Sequence, residues 1–487
     1  MPKDRDGWLT RADAVRLMVD GAAALAQVEA AGFRVDEGYL RTEMDRIQTE
    51  MDALVLQMQT TGLWKDWTRM FGRDAKLGNR KQLAAVLAAT GVELTKYTAT
   101  GEFSTDAEVL KDIDHPFVRM YARRMRLHKI RATYLKGILS ESVDGYVHPS
   151  INLHKVITFR SSCDSPNLQN VPTRDEEMAR VIRTAFLPSP GNVLVEVDFG
   201  AVEVRVAACY NRDPALVRYV SDPSTDMHRD TASQLFHLPV DYLIEHKAWA
   251  KKSVRDWAKN RFVFPEFYGS VYFQCAPHIW KAVEDRDKDG RRKYRLPDGT
   301  SIRSHLRRHG VRDLGDCSDP KTPPRPGTFA HHVKSVEDDF WNRRFKVYTE
   351  WKRSWYRRYL ETGEFRMTTG FRVQGRYDRN QVLNAPIQGA AFHCLLWSLV
   401  EVVSELKRLR MKSKVVMQIH DCMVLDVPPA EVNAVLDLCH EVMTERLPRT
   451  WRWITVPLET EAEVSPTNWF AKKVWDRKED GTWASKT

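Results

Sequence analysis

Two distant stretches decide the reading of this chain: VLVEVDFGAVEVRVAACY at residues 193–210 and KVVMQIHDCMVLDV at residues 414–427. In the first, Val193, Val195 and Val197 alternate with Leu194, Glu196 and Asp198, the period-two pattern of a half-buried strand. The following AVEVRVAACY can be helical. The second stretch reads as two β-rich runs around a two-residue turn, His420-Asp421. A central antiparallel sheet can therefore bring Asp198 and Asp421 together. Such a pair has a chemical purpose when the substrate is a polyphosphate. Each carboxylate supplies oxygen to a hard divalent cation, and two cations about 4 Å apart clamp the attacking and leaving oxygens. Taken singly, the same two residues also suit plain strand ends.

Between these stretches, Arg255 and Lys259 are four residues apart, so a helix puts both on one face. An arginine fork and a lysine point charge together suit a triphosphate. Phe262, Phe264, Phe267 and Tyr268 crowd the next turns and can stack bases or fill a core. Upstream, an Ala-rich helix is expected over 12–30. Leu40, Met44, Ile47, Met51, Leu54 and Met58 predict a helix near 37–58. A helical region is also expected over 106–139, broken near His115-Pro116. Its basic run Arg119, Arg123, Arg124, Arg126, Lys129, Arg131 suits a solvated face or phosphate contact equally. The basic, Pro/Gly-punctuated segment 291–330 predicts an exposed excursion between helices.

Composition bounds the remaining options. The chain has 487 residues, with 75 Lys+Arg against 65 Asp+Glu, and the resulting +10 charge is compatible with an anionic partner. The length suits about three domain-sized units. The charged opening residues do not read as a secretory signal, and no uninterrupted apolar stretch of spanning length is present, so no membrane association is expected. Seven cysteines without a CxxC pair make neither a disulfide framework nor a zinc-finger spacing, and His331-His332 reads as an ordinary histidine pair. There is no GxxxxGK[ST] phosphate loop. The candidates are thus carboxylates and cations, which favour phosphoryl transfer over acyl transfer.

Taken in order, these segments resemble the family A DNA polymerases, the DNA polymerase I group, including phage replicative members. EVDFGAVEVRVAA, with Asp198, Glu203 and Arg205, is similar to the family motif DYSQIELR. RDWAKNRFVFPEFYG (255–269) is similar to the fingers motif RxxxKxxxFxxxYG, and QIHDCMVLDVP resembles the segment around His-Asp-Glu. RSSCDSPNLQNVP (160–172), DMHRDTA (226–232), TTGFR (368–372) and NAPIQGAA (384–391) support it, and GEFSTDAEVL and LHKIRATYL resemble thumb signatures. The resemblance runs from about residue 15 to the end. It implies an α+β right-hand polymerase fold with an antiparallel-sheet palm, helical thumb and helical fingers. The implied division is an N-terminal helix packing with the palm (1–35), thumb (36–144), palm (145–225 and 365–487) and fingers (226–364).

The resemblance also implies roles. Asp198 and Asp421 would hold two Mg2+ ions, with Mn2+ as a substitute, and Lys259 would join them in catalysis. Arg255, Lys259 and His228 would bind the triphosphate. Glu203 would be a steric gate under the sugar, Phe264 would lie near that sugar and Tyr268 near the templating base. Arg160, Asn167, Gln169, Asn170, Gln388 and His420 would contact primer or template. The implied partners are primer-template DNA and dNTPs, with a separate exonuclease, clamp or helicase. The implied state is a monomeric catalytic unit in the cytoplasm, that of a bacterial host if phage-encoded.

Departures from the pattern bear on these roles. Cys422 stands where the family has a third acidic residue, and a thiol does not replace a hard oxygen ligand. Phe199 replaces the usual Tyr. Lys259 and Tyr268 are separated by one residue more than usual, with Pro265 between them, which predicts a kink or bulge. Only about 35 residues precede the long periodic helix, so neither a 3′–5′ exonuclease nor a 5′ nuclease is expected in this chain. Two other readings remain. Glu203 and NLQNVP argue against a single-subunit RNA polymerase. Cys422 gives some weight to an inactive DNA-binding replication scaffold, against which Asp198, Asp421, Arg255 and Lys259 stand.

Overall fold

In the computed structural model, which describes residues 7–92, 103–110, 113–173, 175–287, 290–319 and 321–486, one antiparallel sheet organises the fold. Its strands are β1 (Val193–Phe199), β2 (Lys414–Ile419), β3 (Cys422–Val427), β4 (Thr460–Ser465), β5 (Lys473–Arg477) and β6 (Trp483–Ser485). They lie in the order β6-β5-β4-β1-β3-β2. The tight turn at His420-Asp421 makes β2 and β3 a hairpin, and β3 pairs with β1 so that Cys422 faces Asp198. On its other side β1 pairs with β4, with Glu461 opposite Asp198.

The expectation of a half-buried β1 is corrected. Leu194, Val195, Val197 and Phe199 are all buried, because β1 is central and both sheet faces are covered. Glu196 is tolerated there because Lys472 Nζ pairs with it at 2.7 Å and Trp469 Nε1 donates to it at 2.7 Å.

The principal helices are α1 (Arg11–Ala31), α2 (Glu37–Gln59), α3 (Pro116–Lys129), α4 (Val202–Asn211), α5 (Met227–Phe236), α6 (Val254–Ala258), α7 (Phe264–Phe267), α8 (Tyr272–Glu284), α9 (Phe329–Asp339), α10 (Lys346–Thr362) and α11 (Arg379–Arg408). Thr10 and Asp13 form a reciprocal cap that starts α1, which packs on β2 and α11. The 37–58 stripe forms α2 as expected, with Leu40, Ile47, Met51 and Met58 buried. The lower end of α2 joins the main core. Its upper end, with α3 and the residues between them, builds a second small core around Trp67, Leu83, Phe117 and Tyr121. The GEFSTDAEVL segment lies partly outside the described residues.

The basic run on α3 is largely neutralised internally. Arg123 pairs with Glu50 at 2.7 Å and Glu177 at 2.6 Å, Arg126 with Glu177 at 2.9 Å, and Arg119 with Asp114. Arg131 donates to the Met44 carbonyl at 3.1 Å. These side chains fasten α3 to its neighbours rather than forming a free cationic stripe. Helix α11 is long and apolar enough to cross a membrane by composition alone, but most of that apolar window is buried inside the fold. Pro386 removes one helical N–H from α11, and the released Val382 carbonyl accepts from Trp355 Nε1 at 3.1 Å. A side chain at Gly389 would meet the Thr158 carbonyl at 2.5 Å, which explains a glycine in NAPIQGAA. Segment 291–330 is, as expected, an exposed excursion between α8 and α9, containing one short helix, Ile302–Arg308.

Candidate active site

The strand-to-helix transition after β1 sets Asp198 at the sheet edge of a cleft. Gly200 N–H donates to the Glu459 carbonyl at 2.8 Å, and Ala201 adopts a left-handed backbone that starts α4. Arg205 holds this corner. Its buried guanidinium donates to the carbonyls of Gly200, Val220 and Pro457 at 2.9, 2.7 and 2.6 Å, and pairs with Glu459 at 2.5 Å. Asp421 arrives from the β2–β3 turn, where His420 takes a positive φ, uncommon for a non-glycine residue. The Phe199 N–H donates to the Asp421 carbonyl at 3.3 Å, so the turn that carries Asp421 is fastened beside the Asp198 end of β1.

The electrostatics of this pair are distinctive. Burial, then Asp421, Glu196 and Glu461, raises the Asp198 carboxyl well above the usual carboxylate range. Burial also raises Asp421. Asp198 Oδ1 is buried without a hydrogen-bond partner. Two crowded, under-solvated carboxylates with an orphaned oxygen favour cation binding. Among the described residues, no group of three or more His, Cys, Asp and Glu side chains forms a closed metal cage. Burial keeps the Cys422 thiol well above its ordinary range, so it adds no charge to the pair.

Beside Asp421 opens a cavity of about 440 Å³. Seven of the sequence-predicted residues line it: Arg160, Glu203, Phe264, Tyr268, Gln388, His420 and Asp421. Arg160 pairs with Glu203 at 3.4 Å, and the Tyr268 hydroxyl donates to the other Glu203 oxygen. Asn384 Nδ2 donates to the Tyr268 carbonyl at 3.3 Å. Asn384 and the buried Tyr348 line the same cavity and were missed, although Asn384 opens the NAPIQGAA motif.

The extra residue between Lys259 and Tyr268 is absorbed by a π-helical turn, Lys259–Val263, between α6 and α7. Phe264 N–H donates to the Lys259 carbonyl five residues back. A π turn takes one additional residue and leaves the next helical turn on its original face. Phe264 and Tyr268 thus both line the cavity, and Pro265 falls in the first turn of α7, where its missing N–H does little harm. Lys259 Nζ lies 5.3 Å from the Phe264 ring centre, and His228 packs edge-on to that ring at 5.7 Å.

Asp226, another missed residue, caps α5 through the His228 and Arg229 N–H groups and accepts from Arg255 Nε at 2.6 Å. Burial, then Arg255, pushes His228 down to about 4, so it is neutral at pH 7, and its Nδ1 is buried without a partner. The signal for Asp226 was present: an acid two residues before His228 at a helix start.

The remaining expected contacts separate into two kinds. Asn167 accepts from the Asn170 N–H, and both are exposed at the ends of a one-turn helix. Gln169 differs, being buried with its amide engaged internally. Its Nε2 donates to Gln418 Oε1 at 3.1 Å and Ser161 Oγ at 2.9 Å, while Gln418 Nε2 donates to the His420 carbonyl at 2.9 Å. Gln169 therefore braces the His420-Asp421 turn from within.

Known proteins share both the sequence pattern and the fold around this cleft. A model of DNA polymerase family A matches residues 47–282 and 342–471. The thermostable DNA polymerase I of Thermus aquaticus is 28% identical over 458 residues, covering 93% of this chain and 47% of that protein. DNA polymerase I of Bacillus subtilis is 27% identical over 408 residues, covering 82% and 40% respectively. For Rhizobium leguminosarum DNA polymerase I the identity is 26%, over 82% of this chain and 35% of the relative. The chain thus spans roughly a third to a half of the length of these curated relatives. The polymerase domain of Pol1 from M. smegmatis, solved with DNA primer-template and dNTP, shares the fold at a TM-score of 0.70. It is 23% identical and covers 93% of this chain and 70% of that one.

Proposed function

The chain belongs to DNA polymerase family A, and we propose that it is a template-directed DNA polymerase, adding deoxynucleotides to a primer 3′-hydroxyl and releasing pyrophosphate. The observation that carries this reading is the placement of Asp198, near the end of β1, beside Asp421 of the β2–β3 turn, which lines a cavity together with Phe264 and Tyr268. Both carboxylates would hold two Mg2+ ions, with Mn2+ as a substitute, and the orphaned Asp198 Oδ1 fits that use. When bound, the ions activate the 3′-hydroxyl and neutralise charge on the triphosphate. With Cys422 neutral, this chain would hold the ions through the Asp198 and Asp421 oxygens, which suits magnesium's preference for hard oxygen ligands.

The chain's other residues bind and orient. Arg255 and Lys259 present charge to the triphosphate, and neutral His228 offers a ring nitrogen. Glu203, fixed by Arg160 and Tyr268, lies under the sugar and excludes a 2′-hydroxyl. Phe264 borders the sugar, and Tyr268 the templating base. Arg160, Asn167, Asn170, Gln388 and His420 line the DNA path, while Gln169 acts on it through the turn it braces. The thumb is 36–144, the palm 1–35, 145–225 and 365–487, and the fingers 226–364. In this reading the 487 residues carry a synthesising hand and no nuclease. The enzyme works as a cytoplasmic monomer on primer-template DNA, with proofreading, clamp or helicase functions supplied separately.

Primer extension with dNTPs and Mg2+ tests this. Unprimed synthesis from rNTPs would instead indicate an RNA polymerase, and duplex binding without incorporation under either metal would indicate a scaffold.

A further inference from the structure

Behind the cleft face of α7 lies a carboxyl group that the proposed reaction does not use. Glu266, between Phe264 and Tyr268, is 2% exposed. It accepts from Trp341 Nε1 at 2.8 Å, and Cys275 Sγ of α8 approaches it at 3.7 Å. It faces Glu337 of α9, whose Oε1 accepts from the Tyr272 N–H at 2.9 Å. Two carboxylates are acceptors only, so a hydrogen bond between them needs a shared proton.

The surroundings favour keeping that proton. Burial, then Glu337, pushes Glu266 up to about 9. The charged groups nearby are few. Lys352 of α10 lies over the Trp341 ring, and burial, then Arg379, pushes it down to about 7. On α9, Lys334 is paired with Asp338 at 2.7 Å. Glu337 and Trp341 both lie in 283–341, outside the residues matched by the family model, so family membership alone does not predict this contact.

We propose that Glu266 is a positioning residue: bonded to Trp341 and facing Glu337, it clamps α7 to α9 and the turn after it, and so holds Phe264 and Tyr268 in the nucleotide cavity. Tyr268 transmits this directly, because its hydroxyl bonds Glu203. The inference rests on the polymerase reading for its kinetic consequence, though not for the clamp itself. Loss of the shared proton leaves two adjacent carboxylates, which repel and loosen the foot of α7.

The test uses the whole chain as wild type, Glu266→Gln and Glu266→Ala. Gln keeps an acceptor for Trp341 and a donor for Glu337 without titrating. At neutral pH, Glu266→Gln should keep its dNTP KM within about two-fold of wild type, and Glu266→Ala should raise it about ten-fold with a smaller change in kcat. Above about pH 9 the wild-type KM should climb while that of Glu266→Gln stays flat. At that same pH, amide hydrogen exchange over residues 264–271 should be faster in wild type than in Glu266→Gln. An equal alkaline KM rise in both proteins, or equal exchange, would overturn the clamp. If wild type incorporates nothing, the polymerase reading fails, and the exchange comparison still decides the clamp.

Discussion

Replacing Asp198 by asparagine should stabilise the fold while removing synthesis. Asp198 is buried beside Asp421 and Cys422, with Oδ1 unpartnered, and burial raises its proton affinity before any neighbour acts. The folded state therefore binds this proton more tightly than the unfolded chain does. Stability from that difference is full below the unfolded carboxylate value, about 4, and falls as pH rises towards the raised folded value. Wild type therefore loses about 1.4 kcal/mol at neutral pH for each tenfold by which the fold tightens this proton. Asn carries no titrating charge, so the variant keeps that free energy. For a chain of this length the gain is about 1–3 °C in the unfolding midpoint. The assay is thermal unfolding in EDTA at neutral pH and near pH 4, where the difference should vanish. Added Mg2+ should narrow the neutral-pH gap, because a cation bound by both aspartates stabilises wild type by mass action. An Asn variant no more stable than wild type at neutral pH in EDTA, or a gain indifferent to pH, would refute the reasoning.

Other perturbations probe the remaining assignments. Glu203→Ala removes the carboxylate held by Arg160 and Tyr268, and should increase ribonucleotide incorporation about ten-fold or more in competition assays. Lys259→Ala removes one charge-assisted phosphate contact and should raise the dNTP KM about ten- to a hundred-fold in steady-state extension. Cys422→Glu places an acid beside Glu196, Asp198 and Asp421. It should lower the unfolding midpoint in EDTA, while reducing the Mg2+ concentration needed for half-maximal extension.

The parts most legible in sequence were those with local periodicity. The Leu40–Met58 stripe gave α2, because burial on one face repeats at the helical period, and the two β-rich runs around His420-Asp421 gave the hairpin. Of the motif residues, Asp421, Glu203, Phe264 and Tyr268 share one cavity, with Asp198 of β1 beside Asp421. Less legible were contacts between elements distant in sequence. The α3 arginines looked like free cations because Glu50 and Glu177 are supplied by other helices. The internal bonds of Gln169 were hidden because its partner Gln418 is 249 positions away. The burial of Glu266 was hidden in the same way, since neither Glu337 nor Trp341 is near it in sequence. The extra residue after Lys259 was visible in the motif, but the π turn depends on packing of the whole helix, so spacing alone predicted only a kink or bulge.

The central claim is that Asp198 and Asp421 together make this chain a DNA-synthesising enzyme. Single-nucleotide primer extension with Mg2+ compares wild type, Asp198→Ala and Asp421→Ala, each checked for folding and for binding to the primer-template duplex. The account predicts template-matched dNTP addition by wild type, and loss of at least about a thousand-fold in each folded, DNA-binding variant. Wild-type-like extension by either variant would contradict it.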